Sequence, residues 1–409
     1  LSCEQNGRPA IEELAVIGIC LLLLCLYLFI ERLRLGRLWK SVPLRVAVTG
    51  TRGKSTVARF IAASLRESGH HVLGKTTGSK PVLILPDARE EEIRRTGLPT
   101  ILEGKKLLRR AAARGVRTLV AELMSIQPES IRTESQRLLR PQILAITNVR
   151  LDHCDEMGQT KPEIAQGLAR AIPAGGTVFL PDEEYYPEFE IAARRMKAKI
   201  VRVKKEHAGE EAPPPGFSPL FFFEQDLRLA LAVSGHMGVR RDIALRGIAR
   251  AEPDFGSLKI WEAELGAPPT PWLLVSAFAA NEPESTGVIL DRLREGLPLL
   301  NRNFVGILNF RQDRGDRTRQ WLTVTEAGYF RDFSRVFFVG AHVHSLRISK
   351  LSSSAQQFFP LAFDSPAAVM AEIVARINRS AVLIGIGNMG GLGEALVGYW
   401  HKIGRPYAP

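Results

Sequence analysis

The sequence predicts an α/β protein of two successive parallel-sheet units behind an N-terminal transmembrane helix. Three observations predict it. From Leu44 to Ala63, LRVAVTGTRGKSTVARFIAA runs from an apolar β-branched stretch through a glycine-bounded turn into an apolar helical pattern. Strand-like apolar runs then alternate with helical patterns as far as the C-terminus, which is how βαβ units read. Ahead of both, Leu14 to Ile30 (LAVIGICLLLLCLYLFI) carries no charge, and its length reaches the lower limit for crossing a bilayer as a helix.

A chain of 409 residues exceeds what one hydrophobic core usually supports, so two globular domains are expected. With 45% hydrophobic and 24% charged residues, the composition excludes a disordered chain. Lys and Arg number 55 against 43 Asp and Glu, a net charge of +12, which calls for an anionic partner: nucleic acid, a membrane surface or an acidic substrate. No zinc-finger spacing, aromatic ribonucleoprotein motif or long lysine tail is present, which argues against nucleic acid. The four cysteines form neither a disulfide framework nor a CxxC pair, consistent with a reducing, intracellular globular part.

The apolar run is long for the core of a signal peptide, and no A-x-A-like cleavage site follows it. Arg32, Arg34, Arg37 and Lys40 come directly after it. The positive-inside rule then places everything beyond Lys40 in the cytoplasm, making residues 1–40 a single-pass anchor.

The first βα unit after Pro43 is a phosphate-binding loop. An anionic phosphate chain needs backbone N–H groups and a helix N-terminus aimed at it. Thr49, Gly50, Thr51, Arg52 and Gly53 form the turn, Lys54 places a cation at the terminal phosphates, and the hydroxyl of Ser55 or Thr56 can stand in the shell of Mg²⁺. The common G-x-x-x-x-G-K-[ST] consensus is met only in part, because Val48 stands where its first glycine belongs.

Later runs repeat the alternation. His71 to Gly78, Thr118 to Leu123, Gln142 to Val149, Gly176 to Asp182 and Lys199 to Val203 read as strands, and Lys105 to Arg117 as a helix. Several of these strands carry polar residues at their C-terminal ends: Lys75, Thr76 and Thr77 on one, Glu122 on another. In open parallel sheets that edge binds ligands. Asn148 to Asp155 (NVRLDHCD) gathers Asp152, His153 and Asp155 just past a strand, as ligands, acid–base groups or solvated loop residues. Ala208 to Ser218, rich in Pro, Glu and Gly, is a surface loop.

The pattern breaks at Glu252 to Gly256, dividing residues 41–253 from 254–409. The second unit is again α/β. Its strand Phe304 to Phe310 empties into Arg311, Asp313, Arg314, Asp316, Arg317 and Arg319, either a salt-bridged loop or a cradle for several substrate carboxylates, which arginine grips bidentately. GIGNMG (Gly385 to Gly390) has the letters of a dinucleotide fingerprint, but the strand and acidic residue that fingerprint needs about 20 positions later are missing before Pro409. The glycines read instead as a turn where backbone approaches a ligand or the neighbouring domain.

Together, TGTRGKST, AELMS, TNVRLDHCD and AFAANEPEST resemble the Mur ligase superfamily of ATP-dependent amide ligases. The anchor, GKTTG, AELMSIQPE, LDHCDEMG, NFRQDRGDRT and GIGNMGG are similar to the poly-γ-glutamate ligases of capsule biosynthesis within it. The resemblance implies a P-loop, Mur-ligase-like central domain and a smaller Rossmann-like C-terminal domain. It implies ATP and Mg²⁺, with Lys54 on the phosphates, Ser55 or Thr56 and Glu122 at one metal ion and His153 at a second, supported by Asp152. Asn281 and Arg311 would close over the nucleotide, and Arg311, Arg314 and Arg317 would hold substrate. The implied reaction polymerises glutamate through an acyl phosphate, releasing ADP and phosphate, alongside small membrane-protein subunits. Two departures stand out. The helix after the DH motif (Glu163 to Gly176) lacks the lysine that many relatives carbamylate, and the adenine-side segment EQDLRLALA carries Gln225 and Asp226 in place of asparagine. The rivals are a folylpolyglutamate-like or peptidoglycan-type ligase and a membrane-tethered GTPase switch, whose N-K-x-D guanine motif is not found here.

Overall fold

A computed structural model describes residues 8–78, 81–95, 97, 99–205, 223–254, 257–297, 303–341, 343 and 357–407. The predicted loop Ala208 to Ser218, and Phe255 and Gly256 at the predicted domain break, lie outside the described residues.

The first helix, α1, runs unbroken from Arg8 to Ser41, beyond the apolar run. Its lower end continues because Glu31, Leu35, Leu38, Trp39 and Val42 recur at helical spacing and face the domain. Leu38 and Trp39 pack on a core cluster that holds Val42, and Trp39 Nε1 donates to the carbonyl of Leu138 at 2.9 Å.

Strand β1 (Leu44–Thr49) leads through the glycine turn into α2 (Lys54–Glu67). There follow β2 (Val72–Thr76), β3 (Val82–Ile84), β4 (Glu90–Glu92), α3 (Glu103–Ala113), β5 (Thr118–Glu122), α4 (Pro128–Arg132) and β6 (Ile143–Ile146). Next come α5 (Cys154–Met157), α6 (Lys161–Ala169), β7 (Thr177–Pro181), α7 (Pro187–Met196), β8 (Lys199–Val203), α8 (Glu224–His236) and α9 (Arg241–Ala249). Thr160 and Glu163 close a capping box at the start of α6, satisfying N–H groups that a helix start leaves orphaned. Among the described residues the strands form one sheet in the order β4-β3-β2-β5-β1-β6-β7-β8, parallel except for β3 and β4. Buried apolar clusters cover both faces, with α3, α6 and α7 on one and α2, α8 and α9 on the other, which is why the central strands read as continuous apolar runs.

The second unit contains β9 (Lys259–Leu265), β10 (Thr270–Ser276), α10 (Pro283–Gly296), β11 (Asn303–Phe310), α11 (Gly315–Glu326), β12 (Arg335–Gly340), β13 (Phe358–Pro360), α12 (Pro366–Ile377), β14 (Ala381–Gly387), α13 (Leu392–Ile403) and β15 (Arg405–Pro406). Its sheet order is β13-β12-β11-β14-β10-β9-β15, with β9 antiparallel to β10 and β15 antiparallel to β9. Sheets built this way expose a functional edge where the strands end and the helices begin. The two such edges face each other, as the contacts below establish.

Candidate active site

The loop Thr49 to Thr56 is held by the end of β6. The backbone N–H of Thr51 donates to the carbonyl of Asn148 at 3.1 Å, and the Asn148 side chain accepts from Thr51 Oγ1 at 2.7 Å and from the Arg52 N–H at 2.9 Å. Thr147 Oγ1 donates to the Arg52 carbonyl at 2.5 Å. Thr49, itself buried, gives its carbonyl to the Thr147 N–H. Gly50 has φ +129°, and a Cβ there would stand 2.1 Å from Thr147 Oγ1. Gly53, at φ +75°, leads into α2, and its missing Cβ leaves room for the Asp226 carboxyl, 2.6 Å from where that atom would be. Glycine is required at both positions for conformation and for space.

Lys54 folds back over this turn, donating from Nζ to the carbonyls of Gly50 at 2.8 Å and Thr51 at 3.1 Å. Burial lowers its pKa, Glu122 opposes that, and Arg52 adds to it. Ser55 Oγ donates to Glu122 Oε2 at 2.7 Å, and the same oxygen accepts the Thr77 N–H at 2.7 Å. The predicted neighbours Lys54 and Ser55, from one stretch of sequence, and Glu122, from another, therefore converge. Thr56 lines the same cleft.

That cleft, about 640 Å³, lies between the two units, within the size range of small-molecule sites. The first unit contributes Arg52 to Thr56, Glu122, Asn148, Arg150 and Asp226. The second contributes Asn281, Arg292, Arg311, Arg314 and, from the GIGNMG turn, Asn388 and Gly390. Arg311 grips Asp313 through two bonds of 2.9 and 2.7 Å, so it stands at the cleft already paired with a carboxylate.

Across the units, Arg52 donates to Asn281 Oδ1 at 2.5 Å and to the Ala279 carbonyl at 3.2 Å, and pairs with Asp152 at 2.9 Å. Arg317 also bonds both Asn281 Oδ1 and Asp152. Arg317 and Asp152 are 3% and 4% exposed, so their charges meet out of water. Arg317, expected with the substrate, therefore faces Asp152 and Asn281, whereas Arg311 and Arg314 face the cleft. Asn281 takes a left-handed φ of +41°, and its carbonyl accepts Trp321 Nε1 at 3.1 Å.

His153 lies beside this brace, also at positive φ. Its Nδ1 is 3.1 Å from Arg314 Nη1, and its Nε2 is 3.5 Å from Asp152 Oδ1. Burial first, then the nearby Arg314, Lys54 and Arg52, push the imidazole pKa down to about 4. Near neutral pH the ring is uncharged and keeps a lone pair.

The donors around Ser55 and Glu122 are oxygens, the kind a hard divalent ion takes. Among the described residues no group of three His, Cys, Asp or Glu side chains gathers to hold a metal by itself. A cation at Ser55 and Glu122 would thus depend on phosphate and water oxygens for the rest of its shell, as Mg²⁺ does with nucleotides.

Several contacts were not foreseen. Gln225 donates to the Thr147 carbonyl at 2.9 Å and to Glu184 at 3.3 Å, which leaves Asp226 as the neighbour of Gly53. Burial raises the Asp226 pKa to about 8, against the pull of Arg292 and Arg150. Arg150 pairs with Glu184 at 2.7 Å, and Lys161, at the head of α6, with Glu284 of α10 at 2.9 Å. The available signal was Thr147–Asn148, the polar pair directly after β6 at the ligand-binding edge of the sheet.

Residues 48–212 match the model of the Mur ligase middle domain, and residues 264–403 that of the poly-gamma-glutamate synthase CapB C-terminal domain. The PGA synthase CapB of Bacillus subtilis (strain 168) is 30% identical over 367 residues, covering 88% of this chain and 91% of that protein. The capsule biosynthesis protein CapB of Bacillus anthracis is 32% identical over 324 residues, covering 78% of this chain and 68% of that protein. A bifunctional folylpolyglutamate synthase/dihydrofolate synthase from Yersinia pestis, solved with AMPPNP and a manganese ion, superposes with a TM-score of 0.65 at 15% identity, over 90% of this chain and 92% of that one. At that identity the likeness is one of fold.

Proposed function

The chain belongs to the CapB family of poly-γ-glutamate synthases, and from that membership we propose that its interdomain cleft joins glutamate through an acyl phosphate. The protein is an ATP-dependent acid–amino-acid ligase of Mur-ligase fold that acts on glutamate. One observation carries the site assignment: Lys54, Ser55 and Glu122 meet at one wall of a cleft whose other wall presents Arg311 and Arg314.

In the proposed first step a glutamate carboxylate oxygen bonds to the γ-phosphorus of ATP, the bond to the bridging β,γ-oxygen breaks, and ADP leaves. In the second, the amine of another glutamate attacks the acyl carbon, phosphate departs with its oxygen, and the nitrogen loses a proton to solvent. Lys54 would exchange the Gly50 and Thr51 carbonyls for phosphate oxygens, neutralising charge on the transferring group. Ser55 and Glu122 would hold a divalent ion, which we take to be Mg²⁺ and whose chemistry is charge neutralisation on the phosphates. The neutral His153 is placed for a second such ion or for a phosphate oxygen. Arg311 and Arg314 would bind substrate carboxylates bidentately. Asn281 closes over the loop through Arg52.

Leu14 to Ile30 are exposed along their whole length, and α1 is long and apolar enough to cross a membrane. This supports a single-pass anchor, to which we add ligase domains in the cytoplasm, on the side of the basic residues that follow the run, and small membrane-protein subunits as partners. The deciding experiment incubates membranes containing the protein with labelled glutamate, ATP and Mg²⁺. A labelled polymer that resists α-peptide proteases, with ADP formed in step, is expected. ATP turnover that ignores glutamate would refute the reading.

A further inference from the structure

Below the apolar run, α1 presents two different sides. Glu31, Leu35, Leu38 and Trp39, and Val42 just past the helix end, lie against the domain, while Arg32 and Arg34 on the two flanks and Arg37 on the far side are exposed. Within α3 the buried residues Gly104, Leu107, Leu108 and Ala111 share one face. At 100° per residue, Lys106, Arg109 and Arg110 fall on the opposite one, and all three are exposed. The two helices are joined by an ion pair between Glu31 of α1 and Lys105 of α3.

That pair fixes the level of α3 relative to the apolar run, because Glu31 is the first residue after it. At 1.5 Å per residue, Arg32 to Arg37 lie within about 10 Å of its end, and Arg109 and Arg110 no more than about 8 Å along α3 from Lys105. This is roughly the depth of a headgroup layer and of the Debye length. The neighbouring acids are already paired, Glu31 with Lys105 and Glu103 with Arg95 and Lys75. Six cations therefore stand on this surface with their charge uncompensated from those neighbours.

We propose that α1 and α3 form one basic platform that sits on the anionic headgroups of the bilayer entered by the apolar run. The proposal rests on the anchor reading and adds to it a fixed seat for the catalytic unit. Clusters of four to eight basic residues beside a membrane-spanning helix attract anionic lipid. Here half of the cluster comes from a helix some seventy residues later in the chain. The excess of 55 basic over 43 acidic residues thereby gains a partner other than substrate.

The full chain is placed in nanodiscs of phosphatidylcholine alone or with about one third phosphatidylglycerol, and amines are acetylated and read by mass spectrometry. Lys106 should react about threefold more slowly in the anionic discs, with the difference lost near 0.5 M salt. Lys402 of α13, exposed in the other unit, should react equally in both. R109Q/R110Q should lose most of the Lys106 protection while keeping its thermal transition and its ligase activity in detergent. Equal Lys106 reactivity in the two discs, or full protection in the double variant, would overturn the proposal. So would equal protection in neutral discs on adding poly-γ-glutamate, which would assign the surface to a polyanionic chain. Failure of the chain to stay with any disc would defeat the anchor reading itself, and the platform with it.

Discussion

Arg317 and Asp152, 165 residues apart in sequence, form an ion pair buried between the two α/β units. Asp152 also receives Arg52 from the glycine turn after β1, so one carboxylate ties that turn to the second unit, and His153 follows it directly in the chain.

Removing Asp152 strands the buried Arg317, whereas removing Arg317 leaves Asp152 its second partner, Arg52. Asp152→Asn should cost on the order of 3–5 kcal/mol, and Asp152→Asn combined with Arg317→Met should cost less than the sum of those two single changes. Urea unfolding of the four proteins in the cycle measures the coupling. Strict additivity would mean that the pair does not hold the units together.

Lys54→Ala removes two bonds to loop carbonyls and the only lysine of the turn. Glutamate-dependent ADP formation should fall by about a hundredfold or more, with the thermal transition little changed. A steady-state ADP assay beside a melting curve separates chemistry from folding.

Substituting Gln for Arg311 or Arg314 should raise the KM for glutamate more than that for ATP, because the proposed contact is with carboxylates. If only the KM for ATP moves, these arginines belong to the nucleotide.

Ser55→Ala and Glu122→Gln should each weaken divalent-metal binding, shifting the half-saturating Mg²⁺ concentration upward by about tenfold. Chelation should abolish turnover in the parent protein, and added Mg²⁺ should restore it.

Asp226 and His153 make opposite contributions to pH dependence. The folded Asp226 holds its proton up to about pH 8, above its unfolded value of about 4. Between those values the native state binds more protons, so this residue lowers stability as pH rises through the window. The folded His153 titrates near 4, below its unfolded value of about 6.5, so its contribution weakens as pH falls from 6.5 to 4. Asp226→Asn should therefore flatten the loss of melting temperature between about pH 4 and pH 8 and leave the slope below pH 4 unchanged. Because the Asp226 carboxyl abuts Gly53, the same variant should abolish any rise in the KM for ATP towards pH 9.

The turn from Thr49 to Thr56 was legible as a tight strand-to-helix turn because its glycines restrict residue type locally, through positive φ and close backbone approach. Glu122 was legible from its place at the end of a buried strand. The brace was not, since Asp152, Arg52, Asn281 and Arg317 come from four segments and nothing local in any of them announces the others. The β3–β4 hairpin was equally hidden. Glu90–Glu92 is a poor strand sequence and is extended only because it pairs with Val82–Ile84. Gln225 illustrates the same limit, because its amide partner, the Thr147 carbonyl, lies 78 positions away.

The uninterrupted course of α1 bears on how a detergent-free version of the enzyme should be cut. Starting after Ser41 would strip Leu38 and Trp39 from the core they help to seal and leave the Leu138 carbonyl without its indole partner. A truncation that begins just ahead of Glu31 keeps that docking helix while discarding the greasy segment, and should yield the better-behaved protein.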